Sequence, residues 1–330
     1  MNILIIGLGS MGQRRLRIIQ QNYPKYQISG VEFAQERRED AIKNYGIPCY
    51  ASVDEAVSDQ NYDAVFVCTP PKTHADIIVD ILSRGMNVFT ELNLLSNRYD
   101  EMISLSQEKN LKIFMSSTLL YRKEIQVIDE LVRNKGPLMY IYHMGQYLPD
   151  WHPWECYKNF FVGNKETNGC REIFAIQLPW ILKVFGDKVN SVYSSKKKIT
   201  NLELDYPDSY LVMLVHDSGN RGCIAVDIVS RKATTYLEII GEDVHIKWDG
   251  TPNGLMNYNF ETKTFEQVHV YDSFEQNEKY AATIIEDAYA EEVKCFFKYL
   301  SDLDKPLYSI SSDKQTLMLI DTIEKEVQSL

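Results

Sequence analysis

Residues 2–6 form a short, almost wholly apolar run, the pattern of a strand buried on both faces of a parallel sheet. The spacing that follows predicts a helix over 13–23, with Leu16, Ile18 and Ile19 on its apolar side. A strand over 27–33 and a charged helix over 35–45 come next. Residues 63–68 read as another buried strand, ended by Thr69-Pro70-Pro71, and 74–84 as a helix closed by Gly85. A strand over 87–90, a helix over 99–109 and a strand over 111–116 complete the alternation. Repeated strand–helix units of this kind imply a doubly wound parallel sheet.

Beyond residue 120 the texture changes. A helix over 123–134 leads to a half-buried strand over 138–147, and then to a polar, aromatic stretch over 148–169 that reads as a long functional loop. Runs 209–215, 222–230, 236–240 and 244–248 read as antiparallel strands joined by turns such as Asp217-Ser218-Gly219-Asn220. Helices over 281–300 and 313–328 close the chain. The expected division is therefore an α/β domain over 1–120 and an α+β domain over 121–330.

Composition narrows the classes of function. Of 330 residues, 45% are hydrophobic and 25% charged, which excludes disordered and fibrous chains. The balance of 35 basic against 46 acidic residues gives −11, with no basic patch, so nucleic acid and anionic membrane surfaces are excluded as partners. No apolar run approaches the roughly 20 residues of a membrane helix, and the start at Met1 lacks the features of a signal peptide. Six scattered cysteines without CxxC, and six histidines without HxxxH or HExxH, argue against a disulfide scaffold or a zinc site. No metal is expected, and a reducing cytoplasm fits.

Gly7-Leu8-Gly9-Ser10-Met11-Gly12 is a GxGxxG that directly follows a buried strand and directly opens a helix. In that context each glycine has its own mechanical role. The first makes the turn, the second lets backbone approach a pyrophosphate, and the third lets helix and strand pack closely. Glu32 lies twenty residues beyond Gly12, at the end of the second strand, where a carboxylate accepts from ribose hydroxyls and repels a 2′-phosphate. This favours NAD. Arg37 and Arg38 nearby keep NADP open, since a guanidinium can host that phosphate.

Four segments resemble the glucose–fructose oxidoreductase / inositol dehydrogenase / MocA family: Gly7–Gly12; Val67-Cys68-Thr69-Pro70-Pro71-Lys72-Thr73-His74; Gly85-Met86-Asn87-Val88-Phe89-Thr90-Glu91; and Leu237-Glu238-Ile239-Ile240-Gly241-Glu242. The resemblance implies an N-terminal Rossmann domain binding NAD(P), and a second domain with a large, mostly antiparallel open sheet. It also implies a sugar, cyclitol or nucleotide-sugar substrate and a homodimer or homotetramer formed through that sheet. Thr69, Pro70, His74 and Glu91 join the glycine segment and Glu32 as candidate cofactor contacts.

Two catalytic positions of the family are not matched. Its strand ends Glu-Lys-Pro, where this chain has Glu91-Leu92-Asn93. Its second-domain helix carries D-x-G-x-H-x-x-D, and counting back from Gly186 places Glu172, Phe174, Ile176 and Pro179 there; a shift of one puts Gln177 at the histidine position. Pro179 removes an N–H, so this helix is expected to kink or to begin near Leu178. Hydride transfer from an alcohol needs a base, which leucine and isoleucine cannot provide. Replacement candidates are Glu172, whose pKa a dry cleft would raise, Gln177, Arg122 and Lys123 after the last strand of the first domain, and Tyr147 and His152 in the aromatic segment 145–155. His143, His216, His245 and His269 fall in or beside strands and read as structural. The leading reading is an NAD(P)-dependent oxidoreductase with a non-standard acid/base. The alternative is an inactive protein of the same fold that holds NAD as a structural or sensing ligand.

Overall fold

The computed structural model describes residues 1–274 and 285–325. The chain divides into two compact units, one of Met1–Thr118 with Tyr289–Lys314, the other of Leu119–Ala288 with Gln315–Leu330. The first unit thus includes a C-terminal segment that a division at residue 120 leaves in the other domain.

In the first unit the order is β1 (Asn2–Ile6), α1 (Ser10–Asn22), β2 (Gln27–Val31), α2 (Gln35–Tyr45), β3 (Cys49–Tyr50), α3 (Val53–Asp59), β4 (Ala64–Val67), α4 (Pro71–Ser83), β5 (Asn87–Thr90), α5 (Tyr99–Glu108) and β6 (Ile113–Met115). All six strands are parallel, in the order β3-β2-β1-β4-β5-β6. The order reverses between β1 and β4, the place where a doubly wound sheet binds ligands beyond its carboxyl ends. Helix α1 begins at Ser10 rather than 13, and α4 at Pro71 rather than 74, where proline's fixed φ suits the first helical position. The short pair β3 and α3 is an addition to the expected elements, since neither carries a clear period in the sequence.

Phe66, Phe89 and Phe114 occupy one register across β4, β5 and β6, and their rings stack at 4.6 and 5.1 Å. Phe296 meets all three edge-on at 5.2 to 5.6 Å. It lies on α8 (Glu286–Leu300), and this packing is why the segment after 289 belongs with the parallel sheet. Residues 281–284 of the expected helix lie outside the described residues.

The second unit holds α6 (Lys123–Val132), β7 (Met139–Gly145), α7 (Gly169–Phe185), β8 (Val189–Lys197), β9 (Ser209–His216), β10 (Arg221–Asp227), β11 (Thr234–Gly241), β12 (Val244–Trp248), β13 (Met256–Asn259) and β14 (Thr264–Gln267). Helix α9 (Ile310–Lys325) starts before the expected 313, and residues 326–328 lie outside the description. The sheet order is β14-β13-β12-β11-β7-β10-β9-β8. It is antiparallel except where β10 runs parallel to β7, a correction to the reading of 222–230 as wholly antiparallel. The outer strands β8, β13 and β14 leave no sequence pattern, because their residues are polar and partly exposed on both sides.

Helix α7 covers one face of this sheet. Tyr140 stacks on Phe185 at 3.9 Å and Tyr142 meets Trp180 edge-on at 5.3 Å. Gly222 permits the first contact, since a Cβ there would fall 1.8 Å from the Tyr140 ring. The opposite face exposes Met139, Ile141, Leu211, Met213 and Tyr236, an apolar patch on strands that would ordinarily turn polar residues to water.

Candidate functional site

The glycine turn shows what each position permits. Gly7 has φ +89°, and a Cβ there would sit 2.8 Å from the Cys68 carbonyl oxygen. A Cβ on Gly12 would fall 1.9 Å from the Gly7 oxygen. A Cβ on Gly9 meets nothing within 4 Å, although Gly9 is extended and any residue could adopt its angles. Among the described residues, nothing in the protein's own packing therefore requires a glycine at position 9. Gly9 is also the N-cap of α1, with no side chain capping the helix, so first-turn N–H groups are left for an anion. The turn fits a dinucleotide pyrophosphate, with Leu8, Ser10 and Met11 supplying backbone between the glycines.

Glu32 is buried at the end of β2. Its Oε2 accepts from Leu8 N–H at 3.0 Å and its Oε1 from Ala34 N–H at 3.1 Å. The carboxylate thereby fixes the glycine turn while keeping lone pairs for a ribose. Arg38 donates to the Glu32 and Phe33 carbonyls at 2.6 and 2.8 Å. Arg37 is largely exposed, 3.8 Å from Glu32.

Thr69, Pro70 and His74 surround the start of α4. His74 is buried, with Nε2 2.6 Å from Thr69 O and Nδ1 2.6 Å from the Asn93 side chain. Burial holds its pKa down, against the hydrogen bonds that favour the cation. The atom at Nδ1 is Asn93 Oδ1, so the ring stands between two acceptors, Asn93 Oδ1 and Thr69 O, of which a neutral imidazole can donate to one. Asn93, one residue from the Leu92 position, is therefore spent on His74.

Glu91 is no exposed strand-end carboxylate. Arg15 is fully buried between it and Glu292, with Nε 2.5 Å from Glu91 Oε1 and Nη2 2.6 Å from Glu292 Oε2. Glu292 also accepts from Ser117 N–H at 2.7 Å and from the Ser116 and Thr118 hydroxyls. No local pattern signals this triad, whose other members lie 76 and 277 residues from Arg15.

In the second unit α7 runs unbroken from Gly169 to Phe185 with Pro179 inside it, so it does not begin near Leu178. Asn168 caps it, accepting from Arg171 N–H at 2.8 Å. Between 169 and 182 only Glu172 and Ile176 are not buried. They lie one turn apart on one face of the helix. The Oε2 of Glu172 is closed off from solvent and makes no hydrogen bond among the described residues. Burial pushes this carboxyl up to about 8. Its neighbour Arg171 does not pair with it, but reaches Asp321 at 2.7 Å and Glu324 at 2.5 Å. Gln177 faces inward, its oxygen accepting from Tyr142 OH at 2.7 Å and Trp180 Nε1 at 2.9 Å.

The remaining candidates are spread over this unit. Arg122 is buried, pairing with Glu124 and donating to Gly250 O at 3.2 Å beneath Trp248. Lys123 is exposed, with Nζ 5.0 Å above the Tyr271 ring. Arg231 covers the Tyr147 ring at 3.7 Å. The expected loop over 148–169 contains four short 3-10 helices. Within it His152 is sandwiched between Phe160 at 4.5 Å and a largely exposed Trp154 at 5.3 Å. His143 pairs with Asp227 at 2.7 Å and His245 with Glu238 at 2.7 Å, while His216 is buried against Tyr140 OH. Among the described residues no group of three or more His, Cys, Asp or Glu side chains is placed to hold a metal. No helix there is long and apolar enough to cross a membrane.

A doubly wound sheet with an open glycine cradle at its switch point defines the first unit as a dinucleotide-binding Rossmann fold. The model of the oxidoreductase family with the NAD-binding Rossmann fold matches residues 1–116. Over those residues the chain is similar to the family of glucose–fructose oxidoreductase, inositol dehydrogenase and MocA. A curated relative, the myo-inositol 2-dehydrogenase of Thermotoga maritima, is 23% identical over 335 aligned positions, covering 97% of this chain and 94% of its own. Among solved structures, the UDP-N-acetylglucosamine 3-dehydrogenase of Acidithiobacillus ferrooxidans superposes with a TM-score of 0.76 at 16% identity, covering 98% of this chain and 96% of that one. The biliverdin reductase of Synechocystis sp. PCC 6803, in complex with biliverdin and NADP+, gives 0.75 at 15% identity over 98% and 97%. These likenesses show the fold.

Proposed function

We propose that this chain is a nicotinamide-dinucleotide-dependent oxidoreductase acting on a hydroxyl or ketone of a sugar, cyclitol or nucleotide-sugar, with Glu172 as its proton-handling group. The observation that carries this reading is the glycine turn at the switch point of the parallel sheet, whose α1 N-terminus has no side-chain cap; in the second unit Glu172 Oε2 has no hydrogen-bond partner among the described residues. The named activities of the inositol and UDP-sugar dehydrogenases among its relatives support the substrate class. A bound nicotinamide dinucleotide supplies the hydride chemistry. Residues 7–12 hold its pyrophosphate, and Glu32, set by two backbone N–H groups, selects the unphosphorylated ribose of NAD. Thr69, Pro70 and the neutral His74 shape the wall at the start of α4, and Glu91 acts through Arg15 to fix the end of β5.

Of the proton-handling candidates, Glu172 joins a titratable carboxyl raised by burial to an oxygen without a hydrogen-bond partner among the described residues. Gln177 cannot titrate and its oxygen is used twice, Arg122 is committed to Glu124, and Tyr147 lies under a guanidinium. Lys123 and His152 serve better as surface contacts. The bare sheet face supports self-association as a homodimer or homotetramer.

The test is to denature freshly purified protein, identify the released nucleotide by spectrum and mass, and assay a sugar and cyclitol panel at the reduced-nicotinamide absorbance. Bound NAD(H) with turnover is the expected result. Retained cofactor with no hydride exchange establishes the second reading, a non-redox NAD holder, which Leu92 and Ile176 at the family's lysine and histidine positions favour. No nucleotide and no thermal shift with either cofactor overturns both.

A further inference from the structure

We infer that Phe33 is the platform on which the adenine of the dinucleotide stacks, so that the adenylate half is a ligand in its own right. The inference rests on the functional reading above and adds the end of the cofactor for which that reading names no residue. It lies wholly within the first unit. The observation behind it is an apolar ring in a polar place. Phe33 follows Glu32 just beyond the carboxyl end of β2 and is 74% exposed, whereas Val31 and Glu32 before it are buried.

Local structure does not account for this ring. An apolar residue just before a helix N-cap commonly packs on the fourth helical residue as a hydrophobic staple. Here Ala34 is the N-cap of α2, and the fourth helical residue is Arg38. The Arg38 guanidinium is turned instead to the Glu32 and Phe33 carbonyls. Arg37 is turned toward the Glu32 carboxylate and is itself largely exposed. Cations do cover other rings of this chain, Arg231 that of Tyr147 and Lys247 that of Phe265. Among the described residues none covers Phe33, although two guanidiniums stand within five residues of it.

The backbone beneath the ring is fixed, as a platform requires. The Glu32 carboxylate accepts from the Leu8 and Ala34 N–H groups, and Glu32 N–H donates to Tyr50 O at 3.1 Å. Phe33 therefore stands between two anchored residues, beside the carboxylate assigned to the ribose. The base hangs from the ribose carbon next to the 2′-hydroxyl, so a ribose held by Glu32 carries its adenine along the rim that Phe33 occupies. Singly exposed apolar residues are ordinary on protein surfaces. What sets this one apart is its place, one residue from the ribose carboxylate. A purine offers a flat π face, and stacking on an aromatic side chain strengthens binding by about tenfold or more.

Calorimetry of NADH and AMP binding to the full chain, as wild type, Phe33→Ala and Phe33→Tyr, tests this. Wild type should bind both ligands, Phe33→Ala should lose about tenfold or more for both, and Phe33→Tyr should recover the loss. Melting temperatures without ligand should agree among the three, since an exposed ring adds little to folding. Phe33→Trp gives a direct optical readout. AMP should quench the emission that this variant adds to wild type, and nicotinamide mononucleotide at the same concentration should not. NADH bound equally by wild type and Phe33→Ala overturns the inference and leaves the dinucleotide reading standing. So does added emission that AMP leaves unmoved in a variant that binds NADH. A wild type that binds neither NADH nor NADPH overturns that reading and the inference together.

Discussion

At the scale of single residues, the glycine turn separates folding from binding. Gly12→Ala would drive a Cβ into the Gly7 carbonyl, so it should lower the melting temperature and abolish dinucleotide binding together. Gly9→Ala enters open space in an extended conformation, so it should melt like wild type and yet weaken dinucleotide binding tenfold or more, as calorimetry would read. Equal loss of stability in both would remove the argument for a ligand above Gly9. Glu172 makes a second prediction. Its carboxyl is raised from 4.5 to about 8, so the folded state keeps a proton that the unfolded chain has released across that interval. Stability relative to Glu172→Gln should fall as pH rises through this window, by at most about 1.4 kcal/mol per unit, and change no further above it. Urea unfolding of both proteins at pH 5, 7 and 9 measures this, and a constant difference refutes it.

At the scale of elements, the parallel strands are legible in the sequence because β1, β4 and β5 are buried on both faces and leave continuous apolar runs. The edge strands β8 and β14, and β13 beside the latter, carry no such imprint, since only tertiary pairing holds their polar residues extended. In α7, Pro179 taken alone points to the wrong start. The helix continues through the proline because Leu178, Trp180 and Ile181 around it are buried against the sheet, and packing outweighs local propensity. The site is legible in part: the glycine turn is a local pattern, whereas Arg15 between Glu91 and Glu292 is assembled from three distant places. Restoring the family's groups tests how far one element determines chemistry. The double variant Leu92→Lys, Ile176→His should fold, but should not by itself raise turnover with myo-inositol above the wild-type level, because Pro179 and Asn93 remain changed around it. A hundredfold gain in kcat would show that two side chains suffice.

At the scale of the whole molecule, two features set what the chain can do as an object. The first is the bare sheet face. Leu211→Glu with Met213→Glu on β9 adds charge where side chains are exposed, so the chain should remain folded, and under the proposed self-association through this face its sedimentation should shift to that of a monomer. An unchanged sedimentation coefficient would place the contact elsewhere. The second is the return of residues 289–314 to the parallel-sheet unit. Glu292 neutralises a buried guanidinium that otherwise faces Glu91 alone, and Phe296 seals three stacked rings. Breaking a buried pair by removing one partner costs about 3–5 kcal/mol. A fragment ending at residue 118 should therefore be largely unfolded by circular dichroism and regain structure when a peptide spanning 285–314 is added. On the ribosome, the nucleotide-binding half must then wait until the segment carrying Glu292 and Phe296 has emerged. A nascent chain whose fragment behaves in this way gains its cofactor site only after most of its other half has been made.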